Sequence, residues 1–134
     1  MPSELVVVGL DGSPSSKAAA RWAVEEGRLR GAKVEFVTAF GMRAPHHLPD
    51  PTALVTDREL ALACARMQAG QLADIPDHGV PVMTRTEHGD PARTLIAAAE
   101  EADLLVLGSR GHGGIAGLRL GSVSVHCIQR AACP

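Results

Sequence analysis

Two short aliphatic runs constrain this chain more than any other feature. LVVVGL at residues 5–10 and DLLVLGS at 103–109 are nearly free of polar groups and break off at glycine and a small polar residue. Apolar runs of this length without alternation read as strands covered on both faces, the pattern of parallel sheets packed between helices. The segments between them carry helix signals. Ser13 is placed to cap a helix with Pro14 at its first position; Ala19, Trp22, Ala23 and Leu29 fall near helical spacing, and Gly31 ends it. In KVEFVTAF, residues 33–40, Val34, Phe36 and Thr38 alternate with Glu35, Val37 and Ala39, so a second strand is expected with one face somewhat wetter than the other.

Three prolines and a glycine make residues 41–52 a surface loop. A second amphipathic helix is expected from about Thr56 to Ala73, with Leu60, Ala63, Cys64, Met67 and Leu72 as its apolar stripe. VPVMTRTEH at 80–88 reads as a strand and GDPARTLIAAAEEA as a helix opened by Asp90 and Pro91. The last helix should start near Ser122 and run to about Ala131. The order β-α-β-loop-α-β-α-β-loop-α predicts an α/β fold, a doubly wound parallel sheet with helices on both faces. The two driest strands are expected at its centre, with those at 33–40 and 80–88 further out. The strand order should reverse between the first and fourth strands, and ligands bind such sheets at the carboxyl ends of the strands flanking the reversal.

At 134 residues the chain is expected to form one domain, 1–134, and with 2% aromatic residues its core must be aliphatic. No apolar run approaches the ~18 residues of a membrane span and no basic segment precedes an apolar stretch, so a cytoplasmic protein without membrane contact is expected. A net charge of −2 argues against non-specific nucleic-acid binding. Cys64, Cys127 and Cys133 are odd in number and lack C-x-x-C spacing, which points to buried thiols rather than a disulfide framework or a zinc site.

The chemistry concentrates in GSRGHGGIAGLRLGSVS, residues 108–124, which holds six glycines. Gly108 and Gly111 follow the fourth strand, where a missing side chain admits a ligand to the backbone and allows positive φ. Gly121 and Ser122 stand at a helix start, where unpaired amides and the helix dipole favour an anion. The spacing Gly-x2-Gly-x9-Gly-Ser suits a ribose and phosphate chain gripped at both ends. It is not a Walker loop, since Leu120 and Gly121 stand where lysine is needed. Nor does GLDGSP after the first strand have the Rossmann glycine spacing. Arg110 and Arg119 are the nearby cations for phosphate. Ser122 reads equally as an N-cap, Asp11 as an Asx turn capping the first helix, Arg119 as a solvated charge, and Gly113, Gly114 and Gly117 as plain loop.

VVVGLDGS, GDPARTLI, DLLVLGSRGHGGIAGLRLGSVS and the closing CP together resemble the universal stress protein family, in its single-domain ATP-binding form, over essentially the whole chain. The resemblance implies the adenine nucleotide alpha-hydrolase-like fold with strand order 3-2-1-4-5, and the fifth strand is missing from the sequence ending at Pro134. It implies a stress-response module that binds ATP or another adenosine phosphate, with Mg2+, as a homodimer acting on a protein partner. Asp11 would hold the ribose or a metal-bridged phosphate, next to Leu10, and Ala39 would border the adenine. Gly108, Ser109, Arg110 and Gly111 would line the ribose and phosphates, and Gly121, Ser122 and Val123 would contact phosphates and adenosine, with Arg119 as a further cation.

No catalytic residue is expected. His112 lacks an acidic partner, Ser109, Ser122 and Ser124 lack a local His-Asp arrangement, and His46 and His47 point apart and lack a third metal ligand. Asp11 lacks the acidic cluster and lysine of a phospho-acceptor. The expected output is thus a conformational or interaction switch with slow hydrolysis at most. The alternatives are a true ATPase or nucleotidyl-transfer enzyme, or a stress-response interaction domain without nucleotide.

Overall fold

The valine run becomes β1 (Leu5–Gly9), an inner strand of a four-stranded sheet in a computed structural model that describes residues 3–41, 56–76, 79–109 and 121–134. It is followed by α1 (Pro14–Arg30), β2 (Lys33–Gly41), α2 (Asp57–Ala73), β3 (Val82–Gly89), α3 (Pro91–Ala99), β4 (Leu104–Val106) and α4 (Ser122–Arg130). The strand order is β3-β2-β1-β4 and every pairing is parallel. This is the first four places of the expected 3-2-1-4-5 order, with the reversal between β1 and β4 where the sequence put it.

Val6, Val7 and Val8 are fully buried because successive residues face opposite layers, each covered by helices. Val6 and Val8 pack with Ala20, Ala23 and Val24 of α1 and Phe36 of β2, with Met67 and Leu72 of α2 at the margin. Val7 and Val37 meet Leu95 and Ala98 of α3 and Cys127 of α4 on the other side. On β2, Val34, Phe36 and Thr38 are buried while Glu35 and Ala39 of the other face are partly exposed; Val37 on that face is buried as well, against α3 and α4.

Several expectations are corrected. β4 takes the fourth place of the expected order, an edge of the described sheet, with Leu104 and Leu105 partly exposed; what is corrected is the placing of β2 further out than β4, since β2 is an inner strand. An apolar run records helices above and below a strand; it carries no information about ladder neighbours. On β4, the Leu105 N–H is taken by the carbonyl of Pro134 at 2.9 Å. On α1, Trp22 and Leu29 are 52% and 65% exposed, and the inner stripe is Ala19, Ala20, Ala23, Val24 and Gly27. Small residues line it because the helix lies close to the sheet: a Cβ on Gly27 would meet Val34 at 2.7 Å. Of the three thiols only Cys127 is buried; Cys64 and Cys133 are partly exposed.

The inner face of α2 differs most from expectation. Ala63 is exposed, and the helix's buried residues are two glutamines, Gln68 and Gln71. The Gln68 Nε2 donates to Thr38 Oγ1 on β2 and to the Arg85 carbonyl on β3, both at 2.9 Å, with the Phe36 carbonyl at 3.5 Å. Its Oε1 is buried with no donor among the described residues. Such an orphan costs about 1–3 kcal/mol, so the position is filled at some expense to packing energy.

Candidate functional site

At the carboxyl ends of β1 and β4 the chain turns away from the sheet in opposite directions, α1 covering one face and α4 belonging to the other. The loop after β1 is tightly determined. Leu10 is buried, and its N–H donates to the Val37 carbonyl at 2.9 Å, the last bond tying β1 to β2. Asp11 is exposed, and its Oδ1 accepts from the Ser13 N–H at 2.9 Å, which is the Asx turn. Gly12, at φ 83°, allows the reversal. Ser13 then caps α1, its side chain accepting from Ser16 N–H at 3.1 Å.

β1 stops opposite Val37, whereas β2 continues to Gly41 with β3 alongside as far as Gly89. Because the Val37 carbonyl points to β1, the alternation of a parallel ladder turns the N–H and C=O of Ala39 to that same side, past the end of β1. The expected base-bordering residue therefore presents a donor and an acceptor at the crevice.

On the β4 side, Gly108 has no positive φ. A Cβ there would lie 2.8 Å from the Ser15 carbonyl carbon, so its missing side chain first serves the contact between β4 and the first turn of α1. That corrects the expectation that Gly108 is bare for its dihedral freedom and adds a packing reason for the missing side chain. The Gly108 carbonyl accepts from Ser124 Oγ at 2.8 Å, and the Ser109 carbonyl accepts from the Gly121 N–H at 2.7 Å. These two bonds seat the start of α4 against the end of β4.

The N-cap of α4 is Gly121 rather than Ser122, at φ −71° and ψ 160°, and no side chain among the described residues caps the helix. The other three helices are capped by Ser13, Thr56 and Asp90 through their side chains. The exposed Ser122 hydroxyl and the first-turn amides of α4 thus form a donor set with the positive end of the dipole behind it. The Gly121 N–H is already spent on Ser109. Val123 packs its side chain into the core beside Cys127, leaving only its backbone for a ligand. Burial, followed by the charge of Asp90, pushes the Cys127 thiol above its usual value, which makes it a packing group rather than a nucleophile.

The described residues thus bring Leu10, Asp11, Gly108, Ser109, Gly121 and Ser122 to one end of the sheet, with Ala39 on the adjoining strand. Arg110, Gly111 and Arg119 lie outside the described residues, as do His46, His47 and His112. Among the described residues no group of three or more His, Cys, Asp or Glu could hold a metal ion, and no helix is long and apolar enough to cross a membrane. Sequence reasoning missed Ser15 and Gln68. Ser15 sends no local signal, because its role is a close approach between distant segments; the pair Gln68 and Gln71 at helical spacing was visible but outranked by apolar neighbours.

A second concavity lies on the α3 face, lined by Leu5, Glu35, Arg85, Glu87, Thr94 and Glu101 among others. Its one lining cation is engaged by carboxylates: Arg85 meets Glu35 at 2.9 Å and Glu87 at 3.3 Å. The uncapped helix start is the more receptive place for an anion.

The family model for universal stress proteins matches residues 3–134. The chain belongs to the universal stress protein family. Universal stress protein Rv2005c of Mycobacterium tuberculosis is 36% identical over 129 residues, covering 96% of this chain and 43% of its own length. The chain therefore spans less than half of the curated universal stress proteins it matches. Among solved structures, a universal stress protein in complex with cAMP is 32% identical, with a TM-score of 0.60 over 99% of this chain and 94% of its own. A universal stress protein from Archaeoglobus fulgidus in complex with dAMP shares the fold, with a TM-score of 0.73 at 23% identity over 100% of this chain and 96% of its own.

Proposed function

We propose that this universal stress protein chain binds an adenosine phosphate, ATP or a relative of it, at the carboxyl ends of β1, β2 and β4. The observation that carries the reading is the start of α4 without a side-chain cap among the described residues, hydrogen-bonded beside the end of β4, the strand paired with β1 and its Asp11 turn. Phosphate belongs at the Ser122 hydroxyl and the first amides of α4, where dipole and donors coincide. The ribose belongs between Asp11 and the Gly108–Ser109 end of β4, and the base against the Ala39 backbone. Arg110, Gly111 and Arg119 complete the phosphate shell. Magnesium would come with the nucleotide, held by its phosphates with Asp11 as the protein carboxylate. The related universal stress protein in complex with cAMP, at 32% identity, supports an adenine nucleotide as the ligand class.

The output is a change of conformation or of interaction surface rather than rapid turnover, because none of the described groups at the crevice is a poised general base. The domain formed by this chain acts in a cytoplasmic stress response, as a homodimer with a protein partner. Thermal melts test the ligand. A ligand at 100 times its Kd stabilises by about 2.7 kcal/mol, so Mg-ATP, ADP or AMP should raise the melting temperature in proportion to affinity. An unchanged melting temperature with all three at millimolar concentration would reject nucleotide binding.

A further inference from the structure

Beyond its last bond to β1, the reading edge of β2 is supported from one side only, by β3. Thr38 stands immediately before Ala39 in this overhang and is 5% exposed. The carboxamide of Gln68, itself 0% exposed, reaches out of α2 and bonds both strands there, to Thr38 Oγ1 and to the Arg85 carbonyl. A carboxamide NH2 has two hydrogens, and the two 2.9 Å contacts use both. The Gln68 Oε1 has no partner among the described residues, and an apolar side chain of similar volume would fill the same space without that orphan.

We propose that Gln68 is a positioning residue for base recognition: by clamping Thr38 on β2 to the backbone of β3, it holds the Ala39 N–H and C=O at the angle a purine edge needs. The inference rests on the proposed nucleotide site and adds a determinant of base selectivity that touches no ligand. The clamp works because backbone displacement at a reading edge acts directly on hydrogen-bond geometry, which weakens steeply with misalignment. Phosphate contacts at α4 lie on another element and are not held by Gln68.

The experiment compares Kd values for ATP and GTP by calorimetry in wild type, Gln68→Met and Thr38→Val. Met keeps the volume and removes the donors; Val keeps the shape and removes the acceptor. A loss of one positioned hydrogen bond corresponds to about tenfold, so the ATP-over-GTP preference should fall by about that factor in both variants. GTP affinity should stay within about twofold, since uniform phosphate binding is untouched. A preference equal to wild type in the folded variants, or equal losses for both nucleotides, would overturn the positioning role, as would a wild type that binds both equally. If Gln68→Met does not fold, Thr38→Val carries the test alone. Failure of wild type to bind either nucleotide is a different outcome and strikes the proposed function first.

Discussion

A methyl group at position 108 would lie 2.8 Å from the carbonyl carbon of Ser15, a backbone atom that cannot swing aside. Gly108→Ala should therefore lower stability by about 1–3 kcal/mol even without ligand, read as a shift in the urea midpoint. An alanine as stable as wild type would mean that the two segments separate at no cost. Such a position shows how one residue type serves two masters: the glycine looks like a ligand cradle from the sequence, yet a neighbour 93 positions away accounts for it. Asp11 is similar, since the Asx turn and a nucleotide role are compatible: its Oδ1 faces Ser13 N–H while the residue remains exposed. Asp11→Ala should then weaken both α1 capping and ligand binding, whereas Asp11→Asn, which keeps the turn, should chiefly weaken binding. Paired melts with and without Mg-ATP separate the two effects.

Among elements, α2 and α4 begin in opposite ways. α2 has a capping box, with Thr56 Oγ1 accepting from Glu59 N–H at 3.1 Å and the Glu59 carboxylate accepting from Thr56 N–H at 3.3 Å. Thr56→Ala should cost about 1 kcal/mol, measured by chemical denaturation, with no change in base selectivity. α4 has no side-chain cap. Gly121→Asp would supply one at a backbone conformation any residue adopts, and it would place a carboxylate where phosphate is expected. The variant should be at least as stable as wild type alone and should lose the nucleotide-induced rise in melting temperature. Retention of the full rise would remove phosphate from the start of α4.

Across the whole molecule, what was legible followed from local physics. The valine run, the Ser13-Pro14 and Asp90-Pro91 helix starts and the alternation in β2 each leave a mark within ten residues, and all were read correctly. What was not legible depends on which surfaces meet. The exposed Trp22 and Leu29 and the buried Gln68 and Gln71 on the inner face of α2 are set by neighbours far away in sequence. The candidate site was legible as a place, because a sheet reversal and a helix start can be located from pattern; its groups were less so, since Gly121 rather than Ser122 caps α4 and Gln68 gave no functional signal. The central claim is that backbone amides at the ends of β2 and β4 and at the start of α4 receive an adenine nucleotide. Backbone amide NMR during an ATP titration tests it most directly. The Ala39, Ser109, Ser122 and Val123 resonances should shift together along one saturating curve; shifts confined to the α3 face around Arg85 and Glu87, or none at all, would contradict it.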